Sequence, residues 1–252
     1  YSFVSASYYE PILTYGAKHM KTLSKFNSLL GAAAMLLSAS TMAAPDPSRF
    51  AQTLTPDNAV LAMIDHQTGL MVGVRDMNPA QLKNNIQGLS KMAKVLDLPA
   101  IVTASYPQGP NGPVMSEITD ILTDATVVNR QGEINAWKSD EFLAAIKKTG
   151  RKKIIMAGIV TDVCLMFPAI SAVAEGYDVY AVVDASGTWD EVSREAAIHR
   201  MTQAGVKVVT WASVLAEIMD DWRSPKSQAL GAVLAEHTSY GYVYQSFMAN
   251  QK

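Results

Sequence analysis

KKIIMAGIVTDVC, residues 152–164, is the stretch that decides how the chain is organised. Its first part, KKIIMAGI, is almost continuously apolar after two lysines, which is typical of a strand that is covered on both faces of a parallel sheet. The run then breaks off, and the stretch ends in Cys164, the only cysteine of the 252-residue chain. The pattern places a lone thiol just beyond the carboxyl end of a buried strand, where a helix is about to begin.

Five further apolar runs repeat this pattern: AVLAMID (59–65), PAIVTAS (99–105), ATVVNR (125–130), DVYAVVDAS (178–186) and VKVVTW (206–211). Helix-spaced apolar residues lie between the runs, over 79–96, 140–149, 163–175 and 191–204. Three of these segments are followed by a glycine, which suits the left-handed end of a helix: Gly150, Gly176 and Gly205. Strands that alternate with helices predict an α/β fold, a doubly wound six-stranded parallel sheet with helices on both faces.

The composition argues against several classes of partner. Hydrophobic residues make up 49% of the chain and charged residues 17%, and the net charge is −2 without a cluster of lysine or arginine. We therefore expect no nucleic-acid partner. A single cysteine cannot form an internal disulfide. Because no apolar run reaches the roughly 18 residues of a membrane-spanning helix, we expect no membrane association of the mature protein.

The first fifty residues differ from the rest. Within about residues 20–44, two lysines are followed by an apolar segment and then by small residues, which is the layout of a secretory signal peptide. We therefore expect residues 1–50 to be an N-terminal extension, and residues 51–252 to form the folded domain with a C-terminal tail at about 223–252. A signal peptide places the protein in the periplasm or outside the cell. If the segment is instead an apolar helix of the folded protein, a cytoplasmic location is the alternative.

Three polar side chains fall at the carboxyl ends of predicted strands, where ligands bind in doubly wound sheets. Asp65 closes the first strand, Arg130 closes the third, and Cys164 follows the fourth. Burial should raise the pKa of the Asp65 carboxyl toward that of a useful general base. Helix N–H groups and the Arg130 charge should lower the pKa of the Cys164 thiol below about 8.5, and the same N–H groups could hold an oxyanion. The pattern thus predicts a nucleophilic thiol.

Taken singly, each of these residues has a simpler interpretation. A lone cysteine is most often a small buried hydrophobic residue. Asp65 could cap the loop before Gly69, and Arg130 could form a surface ion pair of little consequence. The shared position of the three residues at strand ends is what indicates an active site.

Four motifs carry a resemblance to a known family: IDHQTGL (64–70), NR followed by NAW (129–137), GIVTDVC (158–164) and VVDASGT (182–188). Over about residues 51–252 the chain resembles the isochorismatase-like cysteine hydrolases, and within them the YcaC-type subgroup. The resemblance implies the strand order 3-2-1-4-5-6 and a cis non-proline peptide at Val160–Thr161. It also implies an Asp65–Arg130–Cys164 triad, in which Arg130 stands where the family usually has lysine. Finally, it implies homo-oligomers, with octamers in that subgroup.

The chemistry that the resemblance implies is hydrolysis of a small amide or ester, as in isochorismatase- and nicotinamidase-like enzymes. Asp65 would take the thiol proton, Cys164 would attack the carbonyl carbon, and water would then cleave the thioester. Arg130 cannot shuttle protons because its pKa lies above 12, so its role would be electrostatic or orienting.

The substrate pocket and the partners follow from the same motifs. The candidate substrate-binding residues are Asn135, Trp137, Val160, Thr161 and Phe167; for the aromatic residues, a place in the core is the simpler interpretation. His66 could bind substrate, although a surface histidine is the simpler interpretation. The four histidines show no metal-ligand spacing, so we expect neither a metal nor another cofactor, and a small-molecule substrate as ligand.

Two alternatives to a hydrolase stay open. A redox-sensing protein could use the same activated thiol, although the chain contains no second cysteine to resolve the oxidised form. A non-catalytic oligomeric protein could have kept the fold and lost turnover, given the arginine at the lysine position.

Overall fold

The computed structural model describes residues 52–251, and the expected signal peptide at about 20–44 lies outside these residues. Within them, six parallel strands form one sheet in the order β3-β2-β1-β4-β5-β6. The strands are β1 (Ala59–Ile64), β2 (Ala100–Ser105), β3 (Thr126–Arg130), β4 (Lys153–Gly158), β5 (Asp178–Val182) and β6 (Lys207–Val209). The winding direction reverses between β1 and β4. Both the doubly wound sheet and its predicted order are therefore confirmed.

The α-helices of the described residues are α1 (Thr68–Gly73), α2 (Pro79–Leu96), α3 (Ser116–Thr119), α4 (Asp140–Lys148), α5 (Met166–Ala174), α6 (Glu191–Gln203), α7 (Trp211–Met219), α8 (Ser227–His237) and α9 (Tyr240–Ala249). All four predicted helical segments are present. Gly150, Gly176 and Gly205 have φ angles of 68°, 86° and 85°, which confirms the predicted left-handed residues after three of them.

Helix α5 begins three residues later than the apolar pattern predicts. Pro168 has no N–H, so it cannot donate to the Cys164 carbonyl as an α-helix starting at Val163 would require. The chain instead forms a π-helical turn over Thr161–Leu165, and α5 starts at Met166. We call Thr161–Leu165 the Cys164 turn. As a result the thiol lies in this turn and not in a regular α-helix.

The helices cover the sheet in two layers. Helices α2, α7 and α8 pack together on one face, and α5 packs with α6 in the layer that also holds α4. The two central strands, β1 and β4, are buried along their whole length. They reach the carboxyl edge of the sheet next to each other, in register from Ala59 opposite Lys153 to Ile64 opposite Gly158. This register brings the residues that follow the two strands to one place.

The segment predicted as a C-terminal tail is largely helical. Helix α8 packs against α2 and buries Leu230 and Val233 in the core. Helix α9 follows and leaves Tyr242, Tyr244 and Phe247 more than half exposed. No helix of the described part of the chain is long and apolar enough to cross a membrane.

Candidate active site

The carboxyl edge of the sheet brings Asp65, Arg130 and Cys164 together. All three are buried, with 1%, 2% and 8% of their surface exposed. The Arg130 guanidinium forms an ion pair with Asp65 Oδ1. The Cys164 thiol lies close enough to the Asp65 carboxyl for each group to shift the pKa of the other. The simpler interpretation of Arg130 as a surface ion pair is therefore wrong.

Asp65 leaves β1 in an unusual backbone conformation. Its φ angle is 57°, in the left-handed region that aspartate tolerates better than most residues. Its N–H donates to the Thr103 carbonyl at 2.8 Å, which ties the residue to β2. Asp65 Oδ1 is held by Arg130, whereas Oδ2 is buried and no group of residues 52–251 donates to it with full hydrogen-bond geometry. One oxygen of the carboxyl is thus held by the Arg130 cation, and the carboxyl also lies within hydrogen-bonding range of the Cys164 thiol.

Arg130 is fixed by contacts from all three of its nitrogen atoms. One terminal nitrogen donates to Asp65, the other donates to the Glu133 carbonyl, and Nε donates to Thr103 Oγ1 at 3.1 Å. The Thr103 hydroxyl in turn donates to the Val128 carbonyl at 2.8 Å. Sequence reasoning missed Thr103, although a buried polar residue inside an apolar strand was a signal. Three of the five N–H groups of the guanidinium are thus engaged within the protein, one of them on Asp65.

The pKa of the thiol differs from the prediction. Burial, followed by the charge of Asp65, raises the pKa of Cys164 well above its usual value, and these effects outweigh the opposing Arg130 charge. The expected pKa below about 8.5 is therefore wrong, because the thiol is buried against a carboxylate. Burial also raises the pKa of Asp65, against the lowering effect of Arg130. The resting thiol is protonated at neutral pH, so it depends on a base for activation.

The Cys164 turn packs directly onto the end of β4. A Cβ atom on Gly158 would lie 3.0 Å from the Leu165 nitrogen and 3.1 Å from the Cys164 carbonyl carbon, closer than such contacts normally come. The glycine therefore allows the turn to approach the strand. This close approach fixes the position of Cys164 relative to the central strands.

The amides of the turn are not arranged as predicted. The Cys164 N–H donates to the Val160 carbonyl at 2.8 Å, and the Thr161 N–H donates to the Gly187 carbonyl at 3.0 Å. These two N–H groups are therefore engaged and do not form an open oxyanion hole. The cis peptide lies at Ile159–Val160, one residue before the predicted Val160–Thr161.

Two of the candidate pocket residues line a common cavity. A cavity of about 610 Å³ lies between the loop after β3 and helices α5 and α6, and its lining includes Asn135, Phe167, Ser171 and Arg200. Asn135 donates to Ser171 Oγ at 3.0 Å across this space. Phe167 follows Cys164 by three residues in the sequence, but the lining does not include Asp65, Arg130 or Cys164.

Trp137 and His66 are placed differently from the other candidates. Trp137 packs edge-on against Phe142 and Tyr177, and its indole N–H donates to Glu175 at 2.8 Å, so its contacts are those of the core. His66 is buried, and its Nε2 donates to the Ala185 carbonyl at 2.9 Å. Burial lowers the pKa of His66 to about 4, so the ring is neutral at pH 7. The interpretation of His66 as a surface histidine is wrong.

Across residues 52–251, no group of three or more histidine, cysteine, aspartate or glutamate side chains is arranged to hold a metal ion.

Comparison with known proteins identifies the family. Residues 59–213 match the model of the isochorismatase domain. The chain is 43% identical over 184 residues to the probable hydrolase YcaC of Escherichia coli (strain K12), which covers 73% of this chain and 88% of that protein. YcaC from Pseudomonas aeruginosa, solved with hexane-2,5-diol and covalent acrylamide, is 44% identical, with a TM-score of 0.76 over 78% of this chain and 97% of that one. The E. coli YcaC structure, described as an octameric hydrolase of unknown specificity, is 42% identical, with the same TM-score and coverage. The chain therefore belongs to the isochorismatase family of hydrolases and is similar to its YcaC members.

Proposed function

We propose that the protein is a cysteine hydrolase that cleaves a small amide or ester through a thioester on Cys164. The observation that carries this proposal is the buried Asp65 carboxyl, which is paired with Arg130 and lies within hydrogen-bonding range of the Cys164 thiol. Such an arrangement suits a base that must remove a proton from a thiol of raised pKa.

The proposed reaction has two stages. In the first, Asp65 takes the thiol proton as Cys164 Sγ bonds to the carbonyl carbon, and the amine or alcohol then leaves with the proton from Asp65. In the second, Asp65 takes a proton from water as the water oxygen attacks the thioester, and the proton returns to the departing sulfur. The raised pKa of Asp65 helps it to hold the proton between these steps. Arg130 keeps Asp65 oriented and does not transfer protons.

A relative supports the role of the thiol. The P. aeruginosa YcaC structure contains covalent acrylamide, an electrophile that thiols attack readily. Cys164 is the only thiol of the present chain. The cavity beside Asn135 and Phe167 is the place that we propose for the acyl part of the substrate.

The test is to trap the acyl-enzyme. The protein is incubated with a panel of small p-nitrophenyl esters and amides, quenched in acid and analysed by intact-protein and peptide mass spectrometry. We expect one acyl group per chain on Cys164, turnover of the same compounds, and neither in Cys164→Ala. Treatment with hydrogen peroxide runs in parallel. Oxidation of Cys164 without acylation would support a redox sensor, and no modification by either reagent would support a non-catalytic protein; both results contradict the proposal.

We also propose that the protein is a homo-oligomer and that a second copy covers helix α9. The E. coli relative is described as octameric. Tyr242, Tyr244 and Phe247 are exposed aromatic side chains of α9, while Tyr240 stacks on Trp222 with ring centroids 5.6 Å apart. Clustered exposed aromatic side chains of this kind commonly mark a protein–protein contact.

Removal of α9 should reduce the size of the assembly. A chain that ends after Ser239 is expected to show a smaller mass by light scattering, with an unchanged circular dichroism spectrum per residue over the retained domain. Truncation after Ser224 is less suitable because it also removes α8 and its core residues Leu230 and Val233.

A substitution variant tests whether the exposed aromatic side chains of α9, and not only the presence of the helix, are needed for assembly. Tyr242→Ser combined with Phe247→Ser should dissociate the assembly in the same way, whereas Val192→Ser, at a residue of α6 that is 76% exposed, should not. An unchanged mass for both α9 variants would contradict the proposed role of this helix.

A further inference from the structure

Residues 186–188, in the chain after β5, are bound to the end of β4 and to the Cys164 turn at successive points. The Gly158 N–H donates to Ser186 Oγ, and the Thr161 N–H donates to the Gly187 carbonyl, both at 3.0 Å. The third contact joins the Thr188 side chain to Asp162. Because Ser186 is fully buried, this part of the chain is held firmly against β4.

Of the three contacts, the one made by Thr188 involves the residue nearest to Cys164 in the sequence. The Thr188 hydroxyl donates to Asp162 Oδ1 at 2.5 Å, and Asp162 precedes Cys164 by two residues in the Cys164 turn. Thr188 is fully buried, whereas Asp162 is half-buried. A short bond from a buried hydroxyl to a carboxylate is among the stronger side-chain hydrogen bonds. The Cys164 turn is thus tethered by one side chain from outside it.

Asp76 holds Thr188 in turn. Asp76 Oδ1 accepts the Thr188 N–H at 2.8 Å, and the Thr188 carbonyl accepts the Arg75 N–H at 2.8 Å. Asp76 is itself buried, with 5% of its surface exposed. The backbone of Thr188 is therefore fixed on both sides of its α-carbon, which leaves its hydroxyl little freedom to follow a displaced Asp162.

We infer that Thr188 is a positioning residue, which acts through Asp162 to hold the Cys164 thiol against the Asp65 carboxyl, and that Asp76 supports it. The inference rests on the proposed function, because it assigns these residues to the same thiol and base. Neither Thr188 nor Asp76 contacts the thiol. Small displacements of reacting groups have large effects on rate, so a tether two residues from the nucleophile can control turnover.

The test measures the thiol pKa of Cys164 from the pH dependence of its alkylation by iodoacetamide. Asp65 raises this pKa in the wild-type protein. Thr188→Val removes the hydroxyl and keeps the shape, so the thiol should move away from Asp65 and its pKa should fall by about one unit. Turnover should fall about tenfold with KM nearly unchanged. Thr188→Ser, which keeps the hydroxyl, should restore both quantities.

Two controls separate positioning from a general loss of structure. In an Asp65→Asn background, Thr188→Val should cause no further change in the thiol pKa, because the carboxylate that it acts through is absent. Thr202→Val, on the exposed side of α6, is the matched substitution and should have no effect. Alkylation requires no hydrolysis, so failure of the proposed function and failure of this inference are distinguishable.

Asp162→Ala removes the same hydrogen bond from its other partner, at a half-buried position. Its effects should equal those of Thr188→Val, and the double variant should lose no more than either single variant. A folded Thr188→Val protein with wild-type pKa and turnover would overturn the inference. So would equal losses in Thr188→Ser and Thr188→Val, or losses that multiply in the double variant with Asp162→Ala.

Discussion

Asp65→Asn is expected to lower turnover by at least about a hundredfold, the usual contribution of a general base. The same substitution should lower the pKa of the Cys164 thiol, because the Asp65 charge raises that pKa in the wild-type protein. More thiolate is then present at neutral pH, yet acylation should stay slow, even at high pH, because the leaving group receives no proton from Asp65. The measurements are kcat/KM on a small amide from the panel, whose amine must be protonated to leave, and the pH dependence of iodoacetamide alkylation.

In Asp65→Asn, turnover should fall although the fraction of thiolate at neutral pH rises. A loss of structure would expose the thiol and also lower its pKa, so the result counts only if the circular dichroism spectrum of the variant matches that of the wild type. Asp97→Asn, at an exposed carboxylate paired with Lys226, is the control and should change neither quantity. Wild-type alkylation with a midpoint at or below the ordinary thiol pKa would contradict the pKa direction, and full turnover in Asp65→Asn would contradict the role of Asp65 as base.

Arg130→Met is expected to impair both stability and turnover. It leaves the Asp65 carboxylate buried without its cation, and removal of one partner of a buried ion pair typically costs about 3–5 kcal/mol. Arg130 lowers the pKa values of both Asp65 and Cys164, so its loss raises both. A larger fraction of Asp65 is then protonated at neutral pH, and turnover should fall by at least about tenfold. Urea unfolding and kcat/KM measure the two effects.

Arg130→Lys distinguishes charge from hydrogen bonding. Lysine keeps the positive charge and is the residue usual in the family. It cannot reproduce the contacts of the guanidinium with Asp65, Thr103 and Glu133 together. We expect turnover within about tenfold of wild type and a smaller loss of stability than in Arg130→Met. Arg223→Met, at an arginine whose side chain is 90% exposed, is the control and should be neutral. Wild-type stability and turnover in Arg130→Met would place Arg130 outside the site.

The sequence predicted the strands and helices of the fold because each buried strand is a short run of consecutive apolar residues. AVLAMI at 59–64 and IIMAGI at 154–159 are apolar throughout, and the structure buries β1 and β4 completely. A strand covered on both faces requires that pattern wherever it lies in the sheet. The order of the strands is not local in this sense, and it was available only through the resemblance to a known family.

The local sequence pattern also predicted which residues lie at the strand ends, but it did not predict their pKa values. Asp65, Arg130 and Cys164 could be named because a strand end can be read from its own sequence. The raised thiol pKa could not be predicted, because it depends on how deeply the Cys164 turn is buried and on how close Asp65 lies. Burial and distance between residues that are far apart in the chain are properties of the packed molecule alone.

The sequence by itself therefore determined the α/β architecture, the edge of the sheet that carries the candidate site, and the three side chains of that site. The tertiary structure decided that Arg130 pairs with Asp65, that the Cys164 thiol lies against the Asp65 carboxyl, and that Thr188, held by Asp76, binds Asp162 of the Cys164 turn. The physical reason is which residues each effect depends on. A hydrophobic pattern is set by residues that are close in the sequence. Hydrogen bonds and desolvation depend on residues that are close in space, such as Thr188 and Asp162, which are 26 residues apart in the sequence.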